Sequence, residues 1–283
     1  MPIHDIALIG LGMCIVMLIL AKLTKKKEVI ETAPEPISNL GGSMTIGSRE
    51  VQEDCYYINQ NKQGSFLALA DGMGESYGGR IASRIAISVC EDMFSTFNLL
   101  DNPRYFFRKI FNNSNKEILK ALDNGGKGYS SLATALICDN KLFYSVVGNV
   151  KVFVFRNNDL VEVSTGHTLE SISKTEFIKG KITRSEARSL LEDHRLYNFL
   201  GQDGFSDLEI FDTPVSLKAN DIVLLMTDGV YELLAFTELE SVLSKKISSQ
   251  QKAYEIIELI NKNSNEDKDN GSIVIWQGMG ANV

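Results

Sequence analysis

The chain has 283 residues, 44% hydrophobic and 23% charged, with five prolines and a formal net charge of −7. That composition belongs to an ordinary globular protein with ample core and excludes low-complexity and collagen-like polymers. An acidic chain without a basic stripe also argues against nucleic acid as a partner.

At the N-terminus, residues 6–21 carry no charge and are followed by Lys22 and then Lys25, Lys26 and Lys27. Extended to residue 23 by a snorkelling Lys22, this run falls just short of the roughly 20 residues a helix needs to cross a bilayer. The basic residues follow the apolar run and no small-x-small pattern closes it. Residues 1–24 therefore read as a retained transmembrane anchor rather than a cleaved signal peptide. Lysines on its C-terminal side place the rest of the chain in the cytoplasm, giving a single-pass protein of the cell membrane held through residues 6–23. Residues 25–43 are polar, aperiodic and punctuated by Pro34, Pro36 and Gly41-Gly42, as a tether would be. Residues 44–283 are left as the folded domain.

Within that domain the periodicity predicts a hairpin from strands 55–58 and 65–70, then helices over 80–97 and 103–122 and a Gly-rich loop at 125–128. Strands 133–138, 141–147, 151–156 and 160–164 follow, joined by Asp139-Asn140 and Asn157-Asn158 turns, so they are antiparallel neighbours. Residues 168–206 break this rhythm, with Thr183 as an N-cap to a short helix. Strands return at 208–215 and 222–226, helices at 237–246 and 249–263, and a last strand at 272–276. This order argues for an α+β fold with helices covering sheet faces. Cys14, Cys55, Cys90 and Cys138 sit among apolar neighbours without zinc or redox spacing and read as buried thiols in a reducing compartment. His4, His167 and His194 have no second ligand nearby in sequence and read as structural or surface residues.

The chemistry gathers around Leu67-Ala68-Leu69-Ala70-Asp71-Gly72-Met73-Gly74, an apolar strand ending in a carboxylate and two glycines, followed by an Ile81, Ile85, Val89 stripe at helical spacing. Asp-Gly alone is an ordinary turn signal. Its companions are Glu53-Asp54, Thr227-Asp228-Gly229 after an apolar run, and Asp269-Asn270 before one. Four aspartates converging at strand ends would repel one another unless cations sat between them, and hard oxygen ligands suggest Mg²⁺ or Mn²⁺.

In order and spacing these segments resemble the metal-dependent protein phosphatases of type 2C (PPM), bacterial branch. Tyr129-Ser130-Ser131 stands for the family's Gly-Thr-Thr, Val147-Gly148-Asn149-Val150-Lys151 for Val-Gly-Asp-Ser-Arg, and Ser164-Thr165-Gly166-His167 for Thr-x-Asp-His. Arg49, four residues before Glu53, falls where the family has its phosphate-binding arginine. The resemblance implies a four-layer αββα sandwich of two antiparallel sheets flanked by helices, with a flap over 168–206, behind the single transmembrane helix. It implies two Mn²⁺ or Mg²⁺ per domain held by Asp54, Asp71, the Gly72 carbonyl, Asp228 and Asp269, with Glu53 behind them. Asp71 and Arg49 become the catalytic residues, Asp71 bridging the cations and Arg49 holding the phosphate. The implied reaction is in-line attack by water activated between those cations on phosphoserine or phosphothreonine. The implied partners are phosphoproteins, the substrates of a serine/threonine kinase.

Three departures stand out, one of them Gly166 in place of an aspartate of the Thr-x-Asp-His motif. Ser76 occupies the histidine position of the bacterial Asp-Gly-Met-Gly-Gly-His pattern, and Asn149 replaces an aspartate associated with a third cation. The alternative function is a weakly active or inactive phosphatase-like scaffold or sensor that binds metals and phosphopeptides at the membrane. Because all four principal aspartates are present, catalysis is the expected function.

Overall fold

The computed structural model describes residues 39–96, 102–123, 125–191, 195–205 and 207–278, so the expected anchor and most of the expected tether lie outside the described residues. Among the described residues, no helix is long and apolar enough to cross a membrane.

Strand β1 (Leu40–Thr45) begins inside the stretch expected to be tether. Its Gly41-Gly42 pair, a turn signal by composition, serves close packing instead. A Cβ on Gly41 would come within 2.3 Å of the Gln250 backbone nitrogen. The expected hairpin forms from β2 (Cys55–Asn61) and β3 (Gly64–Gly74), but β3 runs on through Asp71 to Gly74. Asp71 therefore lies within a strand rather than at its end. The reason is a long partner, since Asp71 to Gly74 pair with Ser131 to Gly128 at the start of the fourth strand.

Helix α1 (Gly78–Thr96) follows, then α2 (Pro103–Ala121), whose N-cap Asn102 accepts from the Tyr105 N–H and whose first position is proline. Next come β4 (Gly128–Cys138), β5 (Lys141–Val147), β6 (Lys151–Arg156) and β7 (Asp159–Glu162). Asp139, Asn140, Asn157 and Asn158 all adopt positive φ, the requirement of the tight hairpin turns expected there. The 168–206 region holds α3 (Leu169–Ile178) and α4 (Arg184–Leu191). The single strand expected over 208–215 is two short ones, β8 (Glu209–Ile210) and β9 (Val215–Ser216), each paired with β5. The chain continues through β10 (Ile222–Met226), α5 (Asp228–Tyr231), α6 (Phe236–Leu243), α7 (Ser249–Lys262) and β11 (Gly271–Gln277).

The strands form two sheets, β1-β11-β10-β6-β7 and β2-β3-β4-β5-β8 with β9 beside β5, and every pairing is antiparallel. Period-2 alternation assigns their faces. Leu67, Leu69, Val152, Val154, Val223, Leu225, Val274 and Trp276 fill the layer between the sheets. Phe66, Ala68 and Ala70 face α1 and α2, while Phe153, Leu224 and Ile273 face the helices after β10. With both faces covered, the strands read as unbroken apolar runs. The architecture is two antiparallel sheets with flanking helices. In the α1–α2 layer, Phe66 and Phe94 stack at 5.0 Å and Phe106 meets Phe66 edge-on at 5.8 Å. Burying each such ring stabilises by roughly 1.5–3 kcal/mol.

The Ile81, Ile85, Val89 stripe is not the buried face of α1. Ile81 is exposed, and the helix lays Gly79, Ala82, Ser83, Ala86 and Cys90 against the sheet. Small residues allow a close approach, and a Cβ on Gly79 would come within 2.6 Å of both Met73 N and Glu53 Oε1. Of the cysteines, Cys90 is buried while Cys55 and Cys138 are partly exposed. His167 is buried, accepts from the Gly148 N–H and packs edge-on against Tyr197, a structural role as expected.

Candidate active site

Of the expected site residues, Arg49, Glu53, Asp71, Gly72, Asp228 and Asp269 line one cleft of about 670 Å³, while Asp54 is buried behind its lining. Residues from both sheets meet there. Asp71 comes from β3, Asp54 directly precedes β2, Asp228 follows β10 and Asp269 precedes β11. Asp54 is only 6% exposed. Its Oδ2 accepts from Thr227 Oγ1 at 3.2 Å, while Thr227 Oγ1 accepts from the Ser272 N–H at 2.9 Å. One threonine thus ties the two late strands to the early carboxylate.

Among the described residues, buried side-chain atoms without a hydrogen-bond partner include the Ser114, Ser249 and Ser272 hydroxyls and Gln277 Oε1, but the carboxylate oxygens among them belong to this cluster. Asp54 Oδ1 and Glu53 Oε1 are buried without a hydrogen-bond partner. Such orphans cost about 1–3 kcal/mol each, more when charged, unless something else satisfies them. Burial pushes the Asp54 carboxyl up to about 7, helped by the like charges of Asp228 and Asp269. Burial also drives Asp71 well above the carboxylate range, with Asp228, Asp54, Asp269 and Glu53 adding to it. Glu53 is raised by burial as well. Protein groups alone do not keep this cluster comfortably ionised.

The rim differs from the floor. Arg49 and Asp269 are about half exposed and form a two-point pair, Nε to Oδ1 at 3.1 Å and Nη2 to Oδ2 at 2.9 Å. That hydrogen bond, followed by the Asp269 charge, raises the guanidinium pKa further. Asp228 is turned to protein donors too, its Oδ1 accepting from the Gly229 N–H at 2.8 Å and its Oδ2 from Asn149 Nδ2 at 2.7 Å. Among the described residues, no three His, Cys, Asp or Glu side chains stand as a ready-formed ligand cage. The donor set is nevertheless all oxygen, with two orphan atoms, and so fits a hard divalent cation rather than zinc or copper.

Gly72 must be glycine, because a Cβ there would lie 2.3 Å from the Gly79 carbonyl and 2.7 Å from that of Glu53. Ser76 lies on the cleft wall in the left-handed region, φ 57°. Arg195, Leu196 and Phe199 close the cleft from the 168–206 region. Sequence reading assigns no role to these three residues or to Ser131. They stand in an aperiodic segment or inside a strand, and only the tertiary fold brings them to the cleft.

A family model described as protein phosphatase 2C matches residues 41–265. The serine/threonine phosphatase stp of Listeria welshimeri is 26% identical over 228 residues, covering 77% of this chain and 88% of its own. The Streptococcus agalactiae serine/threonine phosphatase structure superposes with a TM-score of 0.70 at 20% identity, over 84% of this chain and 98% of its own. The catalytic domain of the phosphatase PstP, solved in complex with two manganese ions, superposes with a TM-score of 0.65 at 22% identity, over 85% and 98%. The family match covers well over half the sequence and includes β1 through α7, so the chain belongs to the protein phosphatase 2C family.

Proposed function

We propose that this chain is a membrane-anchored, cation-dependent phosphatase that removes phosphate from serine and threonine in proteins, the substrates of a serine/threonine kinase. Family membership makes the chain a protein serine/threonine phosphatase. One observation carries the assignment of roles: the unpartnered Asp54 Oδ1 and Glu53 Oε1 lie buried in the same carboxylate cluster whose rim holds Arg49. Asp54, Asp71, Asp228, Asp269 and the Gly72 carbonyl would hold two Mn²⁺ or Mg²⁺, with Glu53 supporting them. The two manganese ions of the related PstP domain support that number. When bound, such cations acidify water and screen the phosphoryl oxygens.

The remaining work belongs to side chains. Arg49, half exposed on the rim, would exchange its two-point pair with the Asp269 carboxylate for a two-point pair with phosphoryl oxygens. Asp54 and Asp71, committed to holding cations, would orient the site rather than act as bases. The lining of this cleft includes no cysteine, and direct attack of water needs no phosphoenzyme. Residues 1–24 anchor the protein and the residues from 25 up to β1 tether it, supported by the uncharged run 6–21 and the lysines after it. The domain takes in residues 44–283, with β1 starting at Leu40, so a truncation at Met44 would remove part of a strand. The test is phosphate release from a phosphothreonine peptide by the full chain. Release is expected with Mn²⁺ and not in EDTA; equal rates in both would refute the reading. Protease added to intact cells is expected to spare the domain.

A further inference from the structure

Asn149 sits in the turn between β5 and β6, directly after Gly148. The positive φ of Gly148, 87°, and its lack of a side chain let this turn close onto β4, since a Cβ there would lie 2.0 Å from Ser131 Oγ. The backbone N–H of Asn149 donates to Ser131 Oγ at 3.2 Å, and the buried Ser131 hydroxyl donates its one proton to Asn149 Oδ1 at 2.6 Å. With its oxygen taken, the amide turns its other end outward, and Nδ2 donates to Asp228 Oδ2 at 2.7 Å. The Tyr231 hydroxyl donates to the Asn149 carbonyl at 2.9 Å and fixes the residue from the far side. The other Asp228 oxygen is set by the Gly229 N–H.

We infer that Asn149 is a positioning residue for Asp228: the relay Ser131–Asn149–Asp228 sets the plane of that carboxylate before a cation arrives. A neutral amide does this without adding charge, whereas an aspartate at 149 would set a second carboxylate against Asp228 Oδ2 and would itself require a cation. The inference rests on the proposed role of Asp228 as a cation ligand. Groups that orient a ligating carboxylate typically govern about 10- to 100-fold of metal affinity.

The experiment is calorimetric titration of the EDTA-stripped full chain with Mn²⁺, for wild type, Asn149→Ala and Ser131→Ala, with melting of each in EDTA. Asn149→Ala is expected to bind Mn²⁺ about 10- to 100-fold more weakly, while melting within about 3 °C of wild type, the shift that about 1 kcal/mol produces in a domain this size. Ser131→Ala, which leaves the amide free to turn over, is expected to lose less affinity in the same direction. Unchanged affinity in both variants overturns the positioning role and leaves the phosphatase reading standing. A loss of affinity matched by a collapse of melting in EDTA in both variants also overturns it, as a purely structural role. A wild type that takes up no Mn²⁺ overturns the reading of Asp228 as a ligand and this inference with it.

Discussion

Two buried aspartates in this molecule meet opposite fates. Asp221, 2% exposed, accepts from Nε and Nη2 of Arg156 and from the Lys218 N–H. Burial works to raise its pKa, yet the Arg156 hydrogen bond and the Lys218 N–H outweigh it and hold the carboxyl below its ordinary value. Asp54, 6% exposed, has one threonine hydroxyl on Oδ2 and nothing on Oδ1, and is pushed up to about 7. Both side chains are shielded from solvent, Asp54 much more deeply, and the protein completes the shallower carboxylate while leaving the deeper one incomplete. The incomplete one lies behind the cleft lining, close enough to Asp71 to help raise it. A stable fold bears such a cost where something outside the chain completes the site.

The largest effect that could break this contrast is on turnover. Asp71→Asn or Asp228→Asn is expected to lower kcat for a phosphothreonine peptide at least about 10³-fold, since cation screening of the reacting phosphoryl group is worth several kcal/mol. Steady-state rates at saturating Mn²⁺ check it, and turnover within tenfold of wild type would remove these residues from the reaction.

Leaving-group protonation comes next. Ser76 stands on the cleft wall where the resemblance places a histidine, and a serine hydroxyl is too weak an acid to replace an imidazolium. An aryl phosphate departs without a proton, whereas a serine alkoxide needs one. The protein is therefore expected to favour aryl phosphates, and Ser76→His to narrow the kcat ratio by up to about 10²-fold, the low end of what a positioned acid contributes. A ratio that does not move places the acid elsewhere.

Asp221→Asn leaves Arg156 with the Ser216 carbonyl as a remaining partner and is expected to destabilise by about 1.5–3 kcal/mol, the worth of hydrogen bonds to a charged group. Its Mn²⁺ affinity is expected to equal that of wild type. Denaturant melts and titration together check this, and a change in affinity would mean that the two aspartates are not independent.

The smallest effect is one of pH in EDTA. The folded pKa of Asp54 is raised to about 7, against an unfolded value near 3.9. Its ionisation therefore costs stability, which is greatest below about pH 4 and is lost as pH rises to about 7. Asp221 has the opposite sign, contributing above about pH 4 and losing that contribution as pH falls through its lowered pKa. Subtracting the stability profile of Asp54→Asn from that of wild type is expected to leave a slope between about pH 4 and 7. A flat difference would contradict the raised pKa.

Much of this is legible in the sequence, because a carboxylate beside an apolar run marks where a chain leaves a packed strand. Asp54, Asp228 and Asp269 are placed that way, and the four turn residues at 139–140 and 157–158 announce their hairpins. The misreadings share a cause. Gly41-Gly42 reads as tether and Ile81, Ile85 and Val89 as the marked face of α1 in place of Gly79, Ala82 and Ala86, since small residues carry no hydropathy signal although they let backbones approach. Ser131, Asn149 and Arg195 reach the cleft from separate elements, and no local pattern encodes a hydrogen bond across 18 or 79 residues.

The central claim is that charge left unbalanced in the cleft is balanced by divalent cations. Melting of wild type and Asp71→Asn, each in EDTA and in Mn²⁺, tests it most directly. Wild type is expected to gain about 2.7 kcal/mol at Mn²⁺ a hundredfold above its Kd. Asp71→Asn, relieved of a carboxyl that burial and neighbouring carboxylates keep from ionising, is expected to melt above wild type in EDTA and to gain little from Mn²⁺. A wild type indifferent to Mn²⁺, or an Asp71→Asn that melts below it in EDTA, would contradict the account.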